Sequence, residues 1–332
     1  MKSILIAVVL LLSAASPSRA AEPTRAEQVR AALKNPNKKL KSYAFNPDSS
    51  LESRVGPAPT FLVETLKKWD NKKDYEPYTP TSEENALLRA WLAALPAKMR
   101  EAFRKRLIGM FFVKNLVGNG LTDFALDEKG NIYPLIVFNP VGFGRTLSQT
   151  LTLRDASAFK GDAEILVNCG EGERGMQYTV LHEGTHAYDF IRGVTPYVDD
   201  VEVYATRGGK GLDASWDVWA SDSRPKPQWD YPARHKIHFY GLSGGPELDA
   251  NEASAVYAQL AASPFVSLYG SQSWAEDVAE LFTFYHLTRA LKRECEVRVT
   301  NSAEPFQFEP MKKGTKAWER ADRLFGSLYD GK

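Results

Sequence analysis

The stretch Tyr178 to Phe190, YTVLHEGTHAYDF, limits what this chain can become more than any other part of it. Val180, Leu181 and Ala187 are apolar on one side, which predicts a helix buried against a sheet. On such a helix His182 and His186 lie four residues apart and leave the same face. Two imidazole nitrogens can then meet one metal ion at ~2.0–2.1 Å. Glu183 follows the first histidine, where a carboxylate can take a proton from a water at that metal. The plainer alternative is a buried helix with two hydrogen-bonded histidines. A longer, three-histidine form of the motif needs glycine at position 189 and histidine at 192. The chain has Asp189 and Arg192, so that form is excluded. Sites that keep a water use three protein ligands, and the third must come from elsewhere.

The best donor lies in Phe265 to Phe282, FVSLYGSQSWAEDVAELF. From Trp274 the pattern is helical, with Val278, Leu281 and Phe282 apolar and Glu276 and Glu280 one turn apart on a common face. One carboxylate can bind a metal while the other orients a ligand imidazole through its free N–H. Asp189, three residues beyond His186, is a second orienting candidate. Asp199 and Asp200 are alternative third ligands. His235 and His238, in ARHKIHFYG, are a candidate for a separate metal pair, and His286 reads as a packed histidine.

The first residues, MKSILIAVVLLLSAASPSRA, combine Lys2, an apolar run from Ile4 to Leu12 and small residues at Ser18 and Ala20. This reads as a signal peptide cut after Ala20, because the run is far shorter than the ~20 residues that span a bilayer. The mature chain is then secreted or periplasmic, with no stable membrane insertion. Losing Lys2 and Arg19 takes 42 basic residues to 40 against 41 acidic ones. That balance offers no electrostatic footing for nucleic acid or an anionic membrane. The two cysteines, Cys169 and Cys295, either pair or stay separate buried thiols; neither belongs to a metal-binding CxxC.

Along the chain, Ala26 to Leu33 and Phe61 to Trp69 are short helical candidates. Thr81 and Ser82 before Glu83 and Glu84 mark a helix start. Leu87, Leu88, Trp91, Leu92 and Leu95 follow at helical spacing, and Pro96 restarts the pattern. Leu107 to Val113, Ile132 to Phe138, Gln149 to Leu153 and Glu164 to Val167 are short and β-rich, and predict a small twisted sheet. Gly170 to Gly175, GEGERG, has the wrong order for a phosphate loop and reads as a turn before a helix near Met176. Residues 192–247 form a loop-rich insertion with Trp216, Trp219 and Trp229. Helices resume over Asp249 to Ala262 and from Trp274 to about Leu291. Helices, then a sheet, then more helices give an α+β fold class.

HEGTHAYD followed by SLYGSQSWAEDVAE resembles the gluzincin metallopeptidases, most closely catalytic domains similar to anthrax lethal factor. The likeness covers about forty residues in two blocks. It implies a zincin-like domain over 106–332, with a small twisted sheet packed on the active-site helix and a helical C-terminal subdomain; the region over 21–105, which the likeness does not reach, reads from its own pattern as mainly helical. The likeness also implies Zn2+ held by His182, His186 and Glu276, Glu183 as general base, Glu280 behind a ligand, and Tyr269 as the phenol that stabilises the oxyanion. The expected activity is zinc-dependent hydrolysis of a peptide or protein substrate. The other readings are a binding or inhibitory protein with structural zinc, and an amide hydrolase acting on cell-wall peptides.

Overall fold

Thr24 and Glu27 bond each other's backbone N–H across the first turn of α1 (Arg25–Ala32), a reciprocal cap that fixes where this helix starts. The computed structural model describes residues 24–195, 218–241, 244–300 and 305–330. The expected leader over 1–20 and Asp199, Asp200 and Trp216 lie outside the described residues. Within them the chain is a mixed α+β protein with ten α-helices and several small sheets.

β1 (Val55–Pro57), α2 (Thr60–Trp69) and β2 (Glu76–Pro77) follow α1. Thr81 caps α3 (Ser82–Ala94) in a reciprocal pair with Glu84, as its sequence predicts. Pro96, which has no N–H to continue the ladder, separates α3 from α4 (Ala97–Arg106). β3 (Met110–Lys114), β4 (Gly120–Leu126) and β5 (Ile132–Phe138) then complete a five-stranded sheet in the order β1-β3-β5-β4, with β2 also paired to β3. β1, β3 and β5 are parallel, and β4 runs antiparallel to β5 at the edge. The early region therefore supplies two strands to this sheet as well as helices.

α5 (Val141–Gly144) leads into α6 (Leu147–Ala156), where Gln149 to Leu153 was expected to be a strand. The threonines at 150 and 152 favour extended chain, but two stronger signals override them. Thr146 and Gln149 form a reciprocal cap, and Leu147, Thr150, Leu151, Arg154 and Asp155 bury one helical face. β6 (Phe159–Lys160) precedes β7 (Ile165–Asn168), which joins a separate antiparallel sheet with β11 (Glu296–Val299) and β12 (Phe306–Phe308). Cys169 and Cys295, left open by the sequence, form a disulfide that ties the ends of β7 and β11.

α7 (Gly175–Arg192) is buried along nearly its whole length, against β4 and β5 on one side and helices on the others. Gly120 allows β4 to come this close. A methyl group there would sit 2.8 Å from Thr179 Cγ2 and 3.1 Å from Glu183 Cγ. The hairpin of β8 (Trp219–Ser221) and β9 (Arg224–Pro225), then β10 (Leu248–Asp249), α8 (Ala253–Ala262), α9 (Trp274–Arg289) and α10 (Lys316–Phe325), complete the described chain. Trp219, in the described part of the insertion, is fully buried and donates its indole N–H to Asp277 on α9 at 2.8 Å. Arg320 of α10 holds the same carboxylate at 2.5 Å, so α9 is tied both to the β8 strand and to α10 through one buried side chain.

The edge strand has a definite polarity of hydrogen bonding. Ile136 N–H donates to Gly109 O, and Pro134 O accepts from Ile108 N–H, so both residues spend their backbone groups toward β3. Their antiparallel partners Thr122 and Phe124, with Gly120 in the same phase, therefore turn their N–H and C=O outward. Among the described residues none bonds those outward groups.

Candidate metal centre

α7 and α9 meet so that three side chains far apart in sequence face one point. His182 Nε2 lies 3.0 Å from Glu276 Oε2, His186 Nε2 lies 3.6 Å from it, and the two imidazole nitrogens are 3.3 Å apart. A tetrahedral ion with ~2.0–2.1 Å bonds spaces its ligand atoms ~3.3 Å apart, so the gap has the size of one small cation. Among the described residues, these three form the group of histidines and carboxylates able to share an ion. The donor chemistry agrees with the spacing. Glu280 Oε1 is 2.9 Å from His182 Nδ1, and a carboxylate only accepts, so Nδ1 carries the proton and Nε2 presents its lone pair. That lone pair faces a second imidazole nitrogen and Glu276 Oε2, which is buried without a hydrogen bond. Such a meeting of electron-rich atoms is stable only with a cation or protons between them.

Each donor is positioned by local chemistry. Ser273 caps α9 by accepting the Glu276 N–H, which sets the carboxylate in the first turn, where the helix dipole favours negative charge. Glu280, one turn on, is wholly buried. Besides His182 it accepts from the Tyr178 hydroxyl, Arg154 Nη1 and the Ser267 hydroxyl, each at 2.6 Å. Arg154 is itself buried and held by Asp155, which accepts the Tyr257 hydroxyl. The Ser267-Leu268-Tyr269-Gly270 segment has a matching logic. Ser267 bonds Glu280, Gly270 N–H donates to Ser267, and a side chain at Gly270 would press on Glu280 Cβ at 3.2 Å.

The electrostatics follow from this burial. Desolvation pushes the His182 imidazole down, but the carboxylates of Glu276 and Glu280 outweigh it and raise it to about 10. His186 moves the same way, burial being outweighed by Glu276. Burial pushes both carboxyls up, yet the imidazoles hold Glu276 well below the usual range, and Arg154 and His182 hold Glu280 at about 2. The Tyr269 phenol, next to the Glu276 carboxylate and buried, is held well above its usual range and stays a donor.

Glu183 and Tyr269 line a cavity of about 280 Å3 together with His182, His186 and Glu276. The Tyr269 ring is 5.7 Å from that of His182 and is braced edge-on by Phe239, from the end of the insertion. Asp189, the other orienting candidate, instead accepts the backbone N–H and hydroxyl of Thr195 beyond the end of α7. His235 and His238 reach different carboxylates, Asp230 and Glu247, and His286 packs on Phe282.

Several residues at the site escaped the sequence. Thr122 on β4 donates its hydroxyl to Glu183 Oε2 at 2.8 Å and to Glu183 O at 2.9 Å. Tyr240, held at φ 56°, lines an adjoining cavity with Tyr269 and Glu183. Tyr178 had a readable signal, four residues before His182 on the same face; Thr122 and Arg154 had none. No family model, no curated protein and no solved structure matches this chain.

Proposed function

We propose that the chain is a zinc-dependent peptide hydrolase of the gluzincin kind, exported by its leader. The observation that carries this reading is the convergence of His182, His186 and Glu276 at the spacing of one tetrahedral ion beside the carboxylate of Glu183. Two imidazoles and one carboxylate suit zinc better than the hard, all-oxygen ions. When bound there, zinc supplies Lewis acidity, which brings the pKa of a water toward ~7 and polarises a carbonyl.

The protein's own groups account for the remaining chemistry. Glu183 takes the proton of the attacking water and passes it to the leaving nitrogen. Thr122 occupies Glu183 Oε2, which leaves Oε1 to receive that proton. Tyr269, kept protonated, donates to the oxyanion that develops on the substrate carbonyl. Glu280 keeps the His182 proton on Nδ1, away from the centre. The outward N–H and C=O groups of Gly120, Thr122 and Phe124 fit an extended peptide added as a strand beside β4.

The test is zinc content of the purified protein, with cleavage of a mixed peptide library in the presence and absence of a chelator. Glu183→Gln is expected to keep zinc and lose at least ~100-fold in kcat. Unchanged turnover in that variant would remove Glu183 as the base.

A further inference from the structure

We infer that the N-terminal segment limits how many substrate residues fit on one side of the scissile bond, by closing the open edge of β4. This rests on the reading of the site as a peptide hydrolase. Thr122 marks the level of the reacting bond, because its hydroxyl is bonded to the base Glu183. Four residues further on, Leu126 is paired with Lys39 in a parallel bridge, so its place at the edge is already taken. Between them Lys38 crosses the edge. Its Nζ lies 3.6 Å from the centre of the Phe124 ring and 2.7 Å from Asp123 Oδ1, with both side chains more than nine-tenths buried. Phe124 is fully buried beneath Ala32, Leu33 and Phe190. This is a built wall, since moving it breaks a buried ion pair and uncovers an apolar cluster.

A strand advances ~3.4 Å per residue, so Thr122 to Phe124, where Lys38 crosses, spans ~7 Å and leaves room for about two substrate residues. On the Gly120 side no described residue pairs with the edge. Antiparallel pairing is the stronger and commoner arrangement, and it sets the amino end of an added peptide toward Leu126. The protein therefore accepts about two residues before the scissile bond and releases short segments from the amino ends of peptides.

Two peptide series sharing one scissile bond test this, one lengthened on its amino side and one on its carboxy side. Both kcat/KM and binding to the Glu183→Gln protein are measured. Beyond about two amino-side residues, kcat/KM is expected to fall about tenfold or more, with binding falling alongside, whereas carboxy-side extension has no such limit. The double substitution Lys38→Ser, Asp123→Ser removes the pair without stranding a charge and is expected to recover most of the loss. Should that protein fail to fold, the wild-type series decides alone. Amino-side extension without effect, or a limit on the carboxy side, overturns the inference. A length limit in binding without chelator-sensitive cleavage supports the wall and sinks the hydrolase reading.

Discussion

Glu280→Gln tests whether the charge behind His182 matters as much as its shape. Glutamine fills the same volume and keeps one carbonyl oxygen. The wild-type carboxylate, however, receives four donors, from His182, Tyr178, Arg154 and Ser267, on its two oxygens. The amide NH2 must therefore face two donors whichever way it turns. Removing one partner of a buried ion pair costs about 3–5 kcal/mol. Arg154 keeps Asp155 at 2.8 Å, which argues for the low end, ~3 kcal/mol. Loss of a carboxylate behind a ligand histidine lowers metal affinity ~10–100-fold, equivalent to ~1.4–2.8 kcal/mol. The measurements are the urea midpoint of the metal-free protein and a competitive zinc titration against a chelator of known affinity. Zinc affinity within about twofold of wild type, in a folded variant, would show that Glu280 only fills space.

Tyr269→Phe removes an oxyanion donor and should lower kcat by ~100- to 1,000-fold with little change in KM. A pure KM effect in steady-state kinetics would assign the phenol to substrate binding. Replacing Cys169 and Cys295 together by serine opens a loop of 126 residues and should cost ~2–5 kcal/mol, read from urea midpoints; no loss there means that β7 and β11 are held by pairing alone. For the metal-free protein, His182 at about 10 against 6.5 adds stability that is complete below pH 6.5 and lost as pH rises through about 10. Glu280, at about 2 against 4.5, adds stability present above pH 4.5 and lost as pH falls toward about 2. Unfolding midpoints after chelation should thus peak between about pH 4.5 and 6.5 for this cluster, while zinc affinity rises with pH as His182 gives up its proton. A flat pH profile would contradict both.

Much of the site was readable because its parts are helical and helices follow local rules. The i, i+4 spacing of His182 and His186, and of Glu276 and Glu280, fixes which side chains share a face before any partner is known. The cap at Thr81 and the break at Pro96 act over three or four residues and appear in the structure where the pattern places them. β4 was harder. Its sequence, GLTDFAL, lacks a clean alternation and carries a glycine and an aspartate that strands avoid, so it does not stand out among the β-rich stretches.

What the chain determined by itself was therefore which residues could act together on one helix: the paired imidazoles with Glu183, and the paired carboxylates. Only the tertiary structure decided that the two pairs meet, that Cys169 reaches Cys295, that Thr122 holds Glu183, and that Lys38 and Lys39 lie across the edge of β4. The physical reason is range. Helical periodicity is written in neighbouring residues, whereas a contact such as that of Arg154 with Glu280, 126 residues away, depends on how the apolar faces of separate elements pack.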